Sequence, residues 1–143
     1  MGNEPEPEYA KRQQPEHLRL RSITPALTVE DLDVSLTWYR NVLRCYVADT
    51  WEHEGAPSGA YLKAGAMSLV LLQDDGAMGR KRARKGDGFR LYLTTTQDVD
   101  ELAAQIKARG GRLDSEPRDL PWGARAFAIT DPDGFRLTIS SDP

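Results

Sequence analysis

Two segments of this 143-residue chain open in the same way, 67 residues apart. Thr28-Val-Glu-Asp31-Leu-Asp33 and Thr95-Thr-Gln-Asp98-Val-Asp100 each set Thr-x-x-Asp ahead of an apolar stripe, a pattern that can cap the orphan amides of a helix start. After the first, Leu32, Leu36, Tyr39 and Leu43 recur at helical spacing and predict an amphipathic helix from about Asp31 to Leu43, with Trp38 off the stripe. After the second, Val99, Leu102 and Ile106, with Ala103 and Ala104, predict its counterpart, stopped by Arg109-Gly110-Gly111. One alternating stretch precedes each helix, Ile23 to Val29 and Phe89 to Thr95, and Pro25 marks the first as an edge or strand start. Three short strands follow each: 45–52, 59–63 and 67–73 after the first helix, and 111–114, 125–130 and 135–140 after the second. The expectation is an α+β fold of two duplicated βαβββ modules, about 22–75 and 88–141, forming a cupped mixed sheet with the helices on its outer face.

Composition sets what such a fold can do. With 39% hydrophobic and 29% charged residues, the chain supports one globular domain over 21–143. Residues 1–20, where Glu4, Glu6 and Glu8 alternate with Pro5 and Pro7, read as a flexible leader. Residues 76–87, carrying Arg80, Lys81, Arg82, Arg84 and Lys85 between glycines, read as an exposed linker. A net charge of −3 is the wrong balance for a nucleic-acid partner. The longest aliphatic run, Leu69 to Leu72, is far short of the roughly 20 residues of a membrane span. With no secretion signal and a single Cys, the expected location is cytoplasmic. His17, His53 and Cys45 are the only residues of their types, so no zinc framework or internal disulfide is available.

The runs Thr28 to Leu43, Pro121-Trp122-Gly123 and Asp131-Pro132-Asp133-Gly134, in that order, resemble the glyoxalase, bleomycin-resistance and extradiol-dioxygenase superfamily, the vicinal oxygen chelate proteins. The resemblance covers about Ser22 to Ser141 and implies the two-module fold; that scaffold hosts isomerases, lyases, dioxygenases, thiol transferases and drug-binding proteins. Enzymes of the family hold a divalent metal through one side chain on the first and last strand of each module. Carried onto this sequence, those positions are Thr24, Val70, Leu91 and Thr138, Leu91 following from Thr24 by the 67-residue repeat. None offers imidazole, carboxylate or thiolate, and a slip of one residue supplies only Ile23 or Pro25, Leu69 or Leu71, Arg90 or Tyr92, and Leu137 or Ile139. No metal or other cofactor is therefore expected. Arg44 stands where many relatives carry Gly after the helix.

Candidate ligand-binding residues follow from the alternation. On the last strand Phe135, Leu137 and Ile139 suit the core, while Arg136, Thr138 and Ser140 suit a wetted cleft. Arg136 is a candidate for an acidic or carbonyl-bearing ligand, or else a surface arginine at a strand edge. Thr24 and Thr138 are candidate hydrogen-bonding groups of the same cleft, or filler at former metal positions. Trp122 is the best candidate for stacking on a planar ligand, against the alternative of a wedge closing the cup, and Trp51 would extend the aromatic wall. Phe89, Leu91 and Leu93 would make the neighbouring stretch apolar. His53, between two glutamates, reads as an exposed hairpin residue rather than an acid-base catalyst, and Cys45 as a small buried residue.

Together these features point to a metal-independent protein of the bleomycin-resistance type, binding a small aromatic or amphipathic organic molecule, with two chains paired as a homodimer. The alternative is a metal-independent isomerase, lyase or cyclase using Arg136, His53 or a tyrosine. Neither nucleic acid nor membrane is expected as a partner.

Overall fold

The computed structural model describes residues 5, 18, 20–76 and 85–142. His17 and the basic residues Arg80, Lys81, Arg82 and Arg84 lie outside them. In chain order the elements are β1 (Ala26–Val29), α1 (Leu32–Asn41), β2 (Tyr46–His53), β3 (Ala56–Ala64), β4 (Met67–Gln73), β5 (Arg90–Thr95), α2 (Val99–Ala108), β6 (Leu113–Asp119), β7 (Arg125–Thr130) and β8 (Arg136–Ser141).

The two halves repeat one topology, β1-β4-β3-β2 in one sheet and β5-β8-β7-β6 in the other. In each, the first strand runs parallel to the last and the remaining pairs are antiparallel. Helix α1 packs on β3 and β4, and α2 on β6, β7 and β8. One apolar core runs through both modules, from Leu27, Leu62 and Leu71 to Phe127, Ile129 and Leu137. This is the α+β, two-module architecture the repeat predicts.

Each helix starts on the second residue type of its Thr-x-x-Asp signature. Asp31 accepts from the Val34 amide at 3.2 Å, and Asp98 from the amides of Asp100 and Glu101 at 2.9 and 3.2 Å. Helix α2 ends in a Schellman arrangement: the Gly111 amide donates to the Ile106 carbonyl and Gly110 to Lys107, with Gly110 at φ +92°. The Arg109 side chain then donates to the Val42 carbonyl at 3.0 Å, joining the C-terminal ends of the two helices. After α1 the chain turns through Arg44 at φ +64°, a left-handed conformation strained for any side chain but glycine. Arg44→Gly is expected to raise unfolding free energy by about 0.5–1 kcal/mol in urea titration, strain relief being partly offset by the added freedom of the unfolded chain.

Several predicted strands differ at their ends; β3 runs from Ala56 to Ala64 where 59–63 is expected. Strand β1 is shorter than expected, with Ile23 86% exposed and Thr24 outside it. The Pro25 carbonyl still accepts from the Val70 amide, but proline offers no donor to carry the ladder further. Strand β6 runs on to Asp119 through Pro117, which an edge strand tolerates, and its register with β7 shifts between Ser115 and Arg118.

The β6–β7 and β7–β8 hairpins share one loop chemistry. In Leu120-Pro-Trp-Gly123 and Asp131-Pro-Asp-Gly134 the fourth amide donates to the first carbonyl, proline sits second, and the glycine adopts positive φ. The second hairpin latches the modules together. Asp131, buried, accepts from the Tyr39 hydroxyl of α1 at 2.6 Å and from the amides of Asp133 and Phe135. Asp133 accepts from the Glu30 amide and the Ser35 hydroxyl at the start of α1.

The C-terminal end of the expected linker is not loosely solvated. Lys85 is paired with Asp74, both side chains largely covered, and a Cβ on Gly86 would run into the Gly134 backbone. Trp38 is half-buried in its own chain, edge-on to Tyr39 with ring centroids 4.9 Å apart.

Candidate functional site

The second sheet carries a cleft on the face opposite its helix. Because strand side chains alternate, Phe127, Ile129 and Leu137 enter the core and leave Ala126, Ala128, Arg136 and Thr138 on the other side. Ala128 lies beside Thr138 across the β7–β8 ladder and Ser115 beside Ala128 across β6–β7, so two small alanines and two hydroxyl residues form a low floor. Arg90, Tyr92 and Arg118 stand around it, and the β6–β7 loop contributes Leu120 and Trp122. The cleft holds ≈ 120 Å³. Trp122 is 59% exposed and Tyr92 62%, so both rings offer free faces to a ligand.

The structure therefore brings together Trp122, Arg136 and Thr138 and leaves out Thr24, Trp51 and Leu91. Thr24 lies ahead of β1 in the first module. Trp51 belongs to β2, its indole lying across Gly59 so closely that a Cβ there would meet the ring.

Leu91 faces inward. With Leu93 it lines a small apolar void of ≈ 30 Å³ between the modules, beside Tyr39, Cys45, Leu69 and Leu137. The reason is a difference of one residue: Glu30 and Asp31 separate β1 from α1, whereas Thr96, Gln97 and Asp98 separate β5 from α2. The 67-residue offset superposes the helices, α1 (Leu32–Asn41) onto α2 (Val99–Ala108), but slips the preceding strands by one position. A one-residue slip exchanges the faces of a strand. The stretch expected to be apolar is consequently polar: Arg90 and Tyr92 face the cleft, and Phe89 packs edge-on against Phe135 at 5.9 Å. Arg90, Tyr92, Ser115 and Arg118 are the cleft residues sequence reasoning missed. Their signal was the alternation Arg90-Leu-Tyr-Leu93 read with turn length.

The residues at the family's metal positions do not fit a divalent ion. On the cleft face of β5 the position falls to Arg90, whose guanidinium has no lone pair to donate, and Val70 has no donor at all. Among the described residues, no group of three or more His, Cys, Asp or Glu is arranged to hold a metal. His53 sits at the Glu54-Gly55 turn between β2 and β3, its side chain 80% exposed and outside the cleft.

The strongly perturbed buried groups also lie outside the cleft. Burial, followed by the adjacent Asp131 charge, pushes the Tyr39 hydroxyl well above its ordinary value. Burial raises Asp131 as well, against the lowering effect of its three hydrogen-bond donors. Burial pushes the Cys45 thiol up to about 11.

Two repeated βαβββ modules, the second carrying an open polar cleft on one face of its sheet, define a two-module α+β scaffold. The chain belongs to the Glyoxalase/Bleomycin resistance protein/Dioxygenase superfamily, whose family model matches residues 16–139. Among solved structures, TioX from Micromonospora sp. ML1 superposes with a TM-score of 0.70 at 19% identity, covering 85% of this chain and 98% of that one. A virulence protein from Salmonella typhimurium has a TM-score of 0.64 at 23% identity, covering 89% and 100%. A lactoylglutathione lyase from Agrobacterium tumefaciens has a TM-score of 0.63 at 20% identity, covering 86% and 95%. Likenesses at these identities speak for the fold. A lactoylglutathione lyase of Arabidopsis thaliana is 34% identical over 55 residues, a stretch that spans 38% of this chain and 19% of that protein. No helix of the described residues is long and apolar enough to cross a membrane.

Proposed function

We propose that this chain is a metal-independent small-molecule-binding protein that holds a planar or amphipathic organic ligand and acts by sequestration, as drug-sequestering relatives of the bleomycin-resistance type do. The observation that carries the reading is the cleft itself: exposed Trp122 and Tyr92 rings over a floor of Ala126, Ala128 and Thr138, with Arg136 at one side. The enzymatic alternative, a metal-independent isomerase, lyase or cyclase, has Arg136 and Tyr92 in the cleft, but its histidine, His53, stands apart at the β2–β3 turn.

The reading includes a homodimer. A cleft of ≈ 120 Å³ is well below the roughly 300 Å³ at which small-ligand sites begin, so a second surface is needed to close it. In the proposed pair that surface is the first module of a second chain, which would bring Trp51 and Thr24 to the ligand.

Calorimetry with a panel of planar aromatic compounds is expected to find a ligand, and Trp122→Ala to weaken it about tenfold, in keeping with the loss of one stacking surface. The ligand should be recovered unchanged by NMR. Chemical conversion would favour the enzymatic alternative, and binding indifferent to Trp122 would overturn the site. Sedimentation equilibrium checks the pairing, a strict monomer at binding concentrations being the contrary result.

A further inference from the structure

Three guanidiniums converge on the cleft. Arg90 and Arg136 are direct neighbours across the parallel β5–β8 pair, and Arg118 reaches the same cleft from β6. Among the described residues none of the three forms an ion pair or side-chain hydrogen bond, although acidic residues outnumber basic ones 22 to 19 along the chain. Asp114, on the same strand as Arg118, accepts from the Thr130 hydroxyl. Elsewhere on this module a free guanidinium does find its partner: Arg125 is bound to both Asp100 and Asp119.

Like charges placed side by side on adjacent strands repel, and the fold retains them here without an internal counter-charge. An oxyanion between Arg90 and Arg136 would remove that repulsion and accept paired N–H donors in the planar fork geometry suited to carboxylates and phosphates. The Ser115 and Thr138 hydroxyls add neutral donors on the floor, and Tyr92 and Trp122 supply the aromatic faces.

We infer that the ligand is an aromatic anion, its planar ring held by Trp122 and Tyr92 and its oxyanion by Arg90, Arg118 and Arg136. This rests on the binding reading above and deepens it by naming the charge of the ligand. Carboxylates and phosphate monoesters share the required chemistry.

The test titrates the full-length protein with 1-naphthoate, 1-naphthyl phosphate and 1-naphthamide, one ring system with two anionic groups and one neutral one. At least one anion is expected to bind about tenfold or more tightly than the amide, and the tighter of the two assigns the oxyanion class. Arg90→Gln and Arg118→Gln should each lower anion affinity about fivefold and amide affinity by clearly less, and 0.5 M salt should shrink the anion's advantage. Arg90→Gln should melt at or above the wild-type temperature because it removes the repulsion with Arg136, which separates lost recognition from lost folding. If the amide binds as tightly as both anions, with Trp122 still required, the charge assignment falls and the binding reading stands. If none of the three binds, both fall.

Discussion

Asp131→Ala is expected to lower the free energy of unfolding by about 3–5 kcal/mol, measured by urea denaturation at pH 7. The carboxylate accepts from the Tyr39 hydroxyl and from the Asp133 and Phe135 amides, and its removal leaves two of those donors, on Tyr39 and Phe135, buried with no acceptor. A stranded buried donor costs roughly 1–3 kcal/mol, more than the hydrogen bond itself contributes. Relief of the carboxylate's own burial, visible in its raised pKa, offsets part of this. Tyr39→Phe deletes one donor and leaves a carboxylate that keeps its two amides, so about 1–2 kcal/mol is expected. A double-mutant cycle should return a coupling well above 0.5 kcal/mol. A loss below about 1 kcal/mol for Asp131→Ala would show that the hairpin does not latch the modules.

The second large effect concerns alkaline pH. Burial raises the Cys45 thiol from 9.0 to about 11, so between those values the folded chain keeps a proton that the unfolded chain has released. The stabilisation is complete below pH 9 and is lost as pH rises toward 11, by roughly 2–3 kcal/mol. Tyr39 has the same sign, since its hydroxyl is also raised, and its share begins to disappear above pH 10. Stability measured by urea titration should fall steeply from pH 9 upward. Cys45→Ala should flatten the curve between pH 9 and 11, and Tyr39→Phe only its higher part. A wild-type curve flat to pH 11, or ready alkylation of Cys45 at pH 8, would contradict this burial. Asp131 acts at the other end: its raised pKa means stability from this group is greatest when protonated and declines as pH climbs above 3.8.

Much of the fold was legible because its signals are local. Asp31 and Asp98 cap, Gly110 and Gly111 stop, and Leu-Pro-Trp-Gly and Asp-Pro-Asp-Gly turn through conformations those few residues choose for themselves. The strands Met67–Gln73 and Arg125–Thr130 lie where alternation and breakers put them. On β8 the face of Arg136 and Thr138 was equally readable, since Leu137 between them had to be buried. The partner of Tyr39 was not legible, because Asp131 lies 92 residues away and only packing brings it to the helix.

For the site, the sequence by itself determined which residue types were available: no imidazole, carboxylate or thiolate at the positions carried over from the family, and Trp122, Arg136 and Thr138 as candidates, which line one cleft. Only the tertiary structure decided which face of β5 meets them. The repeat, exact through the helices, suggested Leu91, yet the three-residue turn Thr96–Asp98 is one residue longer than its counterpart and rotates the strand's alternation. Because side chains on a strand have a period of two, that single residue exchanges an apolar wall for Arg90 and Tyr92, and makes the cleft cationic.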